Sequence, residues 1–166
     1  MTETLEKVPG ETRWAIASQT LTGASMAADK ALLDVVGREQ YEAINSQIWA
    51  EGGKAAKQIA DNLGLTVEDP QSAAETLMTV ATVAMGPEFE FETVEATADR
   101  AVVQCTNCPW WNRTQEMGIS DDLCSCGDAA FVGALLNSLN PQVGVTLTKA
   151  MPRGDAHCEW VYEPET

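Results

Sequence analysis

Five cysteines give the first hint of chemistry in this chain, because four of them fall within residues 105–126. Cys105 and Cys108 form C-T-N-C, Cys124 and Cys126 form C-S-C, and Cys158 follows inside G-D-A-H-C-E-W. None occurs in the first 104 residues. Cysteines that only fill a core are spread among elements. Thiols gathered at turns and element ends point to a metal site or a reactive thiolate.

Two chemistries fit that grouping. C-x2-C, fifteen residues, then C-x-C comes close to the spacing of a structural zinc site. It makes Cys105, Cys108, Cys124 and Cys126 candidate ligands for zinc or an iron–sulfur cluster. The second pair has one spacer where a zinc knuckle has two, and Arg113 is the one cation between Cys105 and Cys126 to offset four thiolates. The other chemistry is a thiolate nucleophile with neighbouring carboxylates or thiols as acid and base. Cys108 precedes Pro109, a residue suited to the first position of a helix, and Cys126 precedes Gly127-Asp128, where Asp128 suits an N-cap. Unpaired N–H groups at helix starts favour a thiolate over a thiol. The candidate catalytic set is therefore Cys108, Cys126, Asp128 and Cys158. The plain alternative makes Cys105 and Cys158 small core residues on facing strands.

Trp110, Trp111, Asp155 and Trp160 flank these thiols and are candidate walls of a substrate pocket, although Asp155 after Gly154 also suits a turn. Trp14 and Trp49 read as helix packing. His157, the one histidine, adjoins Cys158. Neighbours on a strand point to opposite faces, so His157 is expected to face solvent.

The elements that must position these groups divide by pattern. Residues 11–36 are rich in Ala, Leu and Met and predict one or two helices, with Gly23 as a weak point and Gly37 as a stop. Tyr41, Ile44, Ile48, Ala55, Ile59 and Leu63 recur at helical steps and predict one apolar face over residues 38–63. Gly52-Gly53 inside that run implies a close contact or a kink. Asp69-Pro70 reads as N-cap and first helical position of a third helix, which stops at Gly86-Pro87.

Beyond Pro87 the period becomes two. Residues 88–92 and 101–105 predict a hairpin through a turn at Thr97–Arg100. Val143, Val145 and Leu147, then Cys158, Trp160 and Tyr162, predict a second hairpin joined through residues 152–155. Short helices are expected at about 109–117 and 128–139. The fold class is α+β: N-terminal helices packed on a four-stranded antiparallel sheet built of two hairpins, with two short helices between them. A single domain is expected over residues 1–166, helical at about 11–86 and sheet-forming and cysteine-rich at about 87–163.

The formal charge of −15 argues against nucleic acid and anionic membrane as partners; the expected partner is a small-molecule ligand or substrate. The start M-T-E-T-L-E-K-V-P-G has no apolar signal core, and no apolar run approaches the ~20 residues that span a bilayer. The cytoplasm is the expected compartment, where thiols stay reduced.

The second half resembles the L-2-amino-thiazoline-4-carboxylic acid hydrolase family. The likeness rests on C-P-W at Cys108–Trp110, the cluster Cys124, Cys126 and Asp128, Asn140-Pro141, and G-D-A-H-C-E-W at Gly154–Trp160. It extends over about residues 38–163. The resemblance implies hydrolysis of a cyclic isothiourea: water adds to the carbon between ring nitrogen, sulfur and exocyclic amine, and the ring opens. It implies roles for Cys108, Asp128 and Cys158, the positions that match. This chain departs in having C-S-C-G-D where the family pattern is closer to Cys-x-x-Asp, and in the extra Cys105. The family is also similar to ligand-binding domains of the 4-vinyl-reductase type.

Overall fold

A computed structural model describes residues 6–165. Three helices come first: α1 (Gly10–Val36), α2 (Arg38–Leu63) and α3 (Pro70–Met85). They are followed by β1 (Glu90–Ala96), β2 (Ala101–Asn107), α4 (Pro109–Glu116), α5 (Ser125–Leu139), β3 (Val143–Lys149), a 3-10 turn at Met151–Arg153 and β4 (Cys158–Pro164). The strands form one antiparallel sheet in the order β1-β2-β4-β3. The two expected hairpins thus meet through β2 and β4, and the α+β class stands.

The pairing register sets one face of the sheet. Cys105 is opposite Cys158, Val103 opposite Trp160 and Ala101 opposite Tyr162. Because side chains alternate along a strand, all six point to the helices, where they are buried. His157 and Glu159 belong to the other face. The expectation for His157 needs correction: its side chain is 20% exposed, and its Nε2 lies 3.6 Å from Glu159 Oε2.

Helix boundaries follow local chemistry. Asp69 accepts from the Ser72 N–H at 2.8 Å, and the Ser72 hydroxyl accepts from the Asp69 N–H, a closed capping box with Pro70 at the first helical position. Gly64 ends α2 at φ +67, a conformation that favours glycine. α1 runs without a break through Gly23. The first strand begins at Glu90 rather than residue 88, because Glu88 is drawn to Asn112 and Arg113 on α4.

The buried stripe of α2 differs from the expected one. Tyr41, Asn45, Gly53, Ala56 and Ala60 are buried, whereas Ile44 and Ile48 are exposed at 38% and 60%. Small residues win because α2 lies directly on α5. A Cβ at Gly53 would come within 2.3 Å of the Phe131 carbonyl oxygen, so close approach, not a kink, explains this glycine. Asn45 is buried as a donor to the Tyr41 hydroxyl at 2.9 Å and the Leu123 carbonyl at 3.2 Å. Trp14, expected in helix packing, is 37% exposed.

Candidate functional site

Between the helical face of the sheet and helices α3 and α5 lies a cavity of about 70 Å³. Phe91 on β1 and Phe89 just before it stack at 5.1 Å on one side. Met78 and Met85 come from α3, and Phe131 from α5. The chemistry-bearing groups in the wall are Cys105, Cys108, Cys158, Asp128 and the indole of Trp110.

Each has a structural reason to be there. Cys105 and Cys158 are cross-strand partners on the inner face. Cys108 ends the extended chain and Pro109 opens α4, which turns Trp110 inward to a T-shaped contact with Trp49 at 5.0 Å. Trp49 in turn lies over Gly127, where a Cβ would come within 2.4 Å of its ring. Asp128 is not the N-cap that its sequence context suggests. α5 begins three residues earlier, and Asp122 takes the capping role by accepting from the N–H groups of Cys124 at 3.3 Å and Ser125 at 3.0 Å. Asp128 is thereby inside the first turns of α5, with its N–H bonded to the Cys124 carbonyl and its side chain in the cavity wall.

The electrostatics reverse the expectation of thiolates at helix starts. Cys108 is pushed well above the ordinary thiol range, first by its hydrogen bond with Cys105, then by burial and the Asp128 charge. The Trp111 N–H at the helix start pulls the other way and loses. Burial pushes Cys158 up to about 12 against the Met151 N–H that donates to its sulfur at 3.4 Å. Cys124 is raised by burial and by Asp128, and Cys126 by burial despite the Asn45 amide beside it. These sulfurs are thiols near neutral pH. Asp128 moves in the useful direction: desolvation, helped by the Asp122 charge, raises its carboxyl to about 7.

Not every expected residue reaches the cavity. Cys126 is on the α2 side of α5, where Asn45 Nδ2 donates to its sulfur at 3.5 Å. Trp111 is half-buried outside the lining, and Asp155 is an exposed turn residue whose carboxylate accepts from the Ala150 N–H at 2.9 Å. Among the described residues, no group of three or more His, Cys, Asp or Glu side chains is arranged to hold a metal ion. The reading of Cys105, Cys108, Cys124 and Cys126 as zinc or iron–sulfur ligands gains no support. Phe89, Phe131, Met78, Met85 and the capping role of Asp122 were not singled out from sequence. The alternation around Phe91 marks an inward face without marking a cavity, and Asp122 had a signal in its place two residues before Cys124.

The family model for L-2-amino-thiazoline-4-carboxylic acid hydrolase matches residues 17–162. The chain belongs to that family. Cys108, Asp128 and Cys158, for which the resemblance implied roles, all line the cavity. A search of curated proteins finds no match. Among solved structures, the phenol-responsive sensory domain of the transcription activator PoxR with phenol is similar at 13% identity and a TM-score of 0.62, covering 86% of this chain and 74% of that one. A trafficking protein particle complex subunit 3 from Naegleria fowleri, covalently bound to palmitic acid, is similar at 14% identity and a TM-score of 0.64, covering 91% and 96%. At these identities the likeness shows the fold alone. No described helix is long and apolar enough to cross a membrane.

Proposed function

We propose that the protein hydrolyses a small cyclic amidine in this cavity, with Asp128 as the acid–base group. One observation carries the reading: the Asp128 carboxyl lines an apolar cavity, is raised to about 7, and has no hydrogen-bond partner among the described side chains. A carboxyl in that state pairs with the nitrogens of a protonated amidine and shuttles a proton near neutral pH. Water attacks the amidinium carbon and gives a proton to the Asp128 carboxylate. Asp128 returns it to the ring heteroatom as that atom's bond to carbon breaks. The remaining hydroxyl proton passes to solvent water as the carbonyl forms, and Asp128 ends as it began. Cys108 and Cys158 act as neutral S–H groups beside the reacting carbon, not as nucleophiles. The buried Trp110 indole N–H, which has no partner, is a further donor in the same wall.

The test is to follow ring opening of L-2-amino-thiazoline-4-carboxylate and of its acid-free parent ring by proton NMR. The wild type should open at least one of them, and Asp128→Asn should slow it by about 100-fold or more. Equal rates in the two proteins would end the reading. A second reading is a module that binds an apolar small molecule without catalysis. It is supported by the hydrocarbon lining and by similarly folded proteins, a phenol-responsive sensory domain with phenol and a trafficking particle subunit covalently bound to palmitic acid.

A further inference from the structure

The cavity has no cation. Asp128 is the one charged side chain among its described lining residues, and no Lys, Arg or His joins it. The basic groups of the surrounding elements are engaged elsewhere. Arg113 on α4 is bonded to Glu88 and Glu116, Arg153 lies 3.4 Å from Asp122, and Lys149 bonds Glu159 at 2.9 Å. The chain as a whole carries −15. A ligand carboxylate placed here would lose its water and meet hydrocarbon or Asp128, with no counter-charge to receive it.

A cation meets the opposite situation. Phe89 and Phe91 stack on one side, Trp110, Phe131 and Trp160 line the others, and one carboxyl stands among them. Aromatic rings and a single carboxyl recognise a positive charge carried on an apolar body. The groups facing Asp128 agree. Cys105 comes from β2, Cys108 from the cap of α4, Cys158 and Tyr162 from β4, and Cys124 and Asp122 from the segment before α5; α3, β1 and Phe89 just before β1 contribute hydrocarbon, thioethers and phenyl rings. None of these is a cation that would compete for the carboxyl.

We infer that the ligand of this chain is a small cationic amidine or isothiourea ring that bears no acid group, unlike the carboxylate in the family's name. The inference rests on the reading that Asp128 receives an amidine. At about 70 Å³, about half of the ~150 Å³ that encloses benzene, the cavity buries only part of such a ring.

A matched pair of ligands tests it: 2-amino-thiazoline and L-2-amino-thiazoline-4-carboxylate, which differ in the acid group. Both are titrated calorimetrically into the reduced full chain at pH 8. The acid-free ring should bind about tenfold tighter or better. Equal or tighter binding of the carboxylate overturns the inference and leaves the amidine reading standing. Binding of neither ring removes the amidine reading, and the inference with it. Asp128→Asn should weaken the acid-free ring by about tenfold or more while keeping a cooperative melt; unchanged affinity in that variant overturns the inference. If Asp128→Asn fails to fold, Met78→Lys supplies the second arm. A cation on the half-buried wall should raise affinity for the carboxylate ring by about tenfold, and no gain in the folded variant counts against the inference.

Discussion

Cys105 and Cys158 are direct cross-strand partners on β2 and β4, and both sulfurs look into the cavity that holds Asp128. The pair brings residues fifty-three positions apart in the chain to one wall. It also explains why the Cys158 thiol is quiet. A sulfur on the inner face of a central strand is desolvated, and here its nearest charges are carboxylates.

Slow alkylation is the direct consequence. With Cys158 near 12 against an ordinary 9, its thiolate fraction at pH 7.5 falls by about 1000-fold. Under native conditions iodoacetamide should modify half-exposed Cys126 well before Cys108 or Cys158. A timed mass-spectrometric digest measures the order. Rapid labelling of Cys108 or Cys158 would restore a thiolate nucleophile and remove the assignment of these sulfurs as neutral donors.

Stability should respond to pH through Asp128. Its folded value of about 7 lies above the 3.8 of an ordinary aspartate, so between those values the folded protein holds a proton that the unfolded chain has released. The contribution is fully present below pH 3.8 and is lost as pH rises through 7. At about 1.4 kcal/mol per unit, the loss is at most roughly 4 kcal/mol. Asp29, raised to about 6 by burial, adds to the same slope. Urea unfolding at pH 5 and pH 8 should show the wild type losing stability relative to Asp128→Asn. Parallel pH dependence of the two proteins would place the Asp128 carboxyl in water.

Much of this arrangement was legible from sequence and some was not, for separable reasons. Period-two patterns fixed which side chains of β2 and β4 face inward, because alternation is local backbone geometry. Asp69-Pro70 and Gly64 marked helix ends for the same reason. The stripe on α2 was misread because its contact with α5 selects small residues at Gly53 and Ala56, so exposed Ile44 and Ile48 carried the apolar signal. Asp128 was read as the N-cap of α5 as well as a site residue, and the capping role does not hold. Capping passed to Asp122, and only the tertiary fold sets which carboxylate meets the N–H groups and which the cavity. Cys126 was grouped with the other thiols by proximity in sequence, yet one helical turn directs it to Asn45.

Packing at Gly53 gives a prediction independent of function. In an exposed helix Gly→Ala gains about 1 kcal/mol. Here the added methyl would meet the Phe131 carbonyl oxygen and lie 3.1 Å from the Leu135 nitrogen, both backbone atoms that cannot swing aside. Overpacking should outweigh propensity, and Gly53→Ala should destabilise by about 1–3 kcal/mol. Chemical denaturation measures the change, and a more stable variant would show that α2 and α5 are farther apart.

The pairing of Asp122 with Asp128 yields the most specific expectation for the proposed reaction. Asp122 accepts the first N–H groups of α5, and its charge is the second cause of the raised Asp128 carboxyl. Asp122→Asn keeps an acceptor oxygen at the helix start and removes the charge. The helix should remain capped, with a stability change within about 1 kcal/mol. The Asp128 carboxyl should then ionise at lower pH, because desolvation alone would hold it up. If Asp128 is the base that receives the proton of the attacking water, the acid limb of kcat/KM must move to lower pH in this variant. A structural cap would lower the rate at every pH without moving the limb. A pH–rate profile separates the two, and an unmoved acid limb with a lowered rate would leave Asp122 as a cap alone and Asp128 without its proton-transfer role.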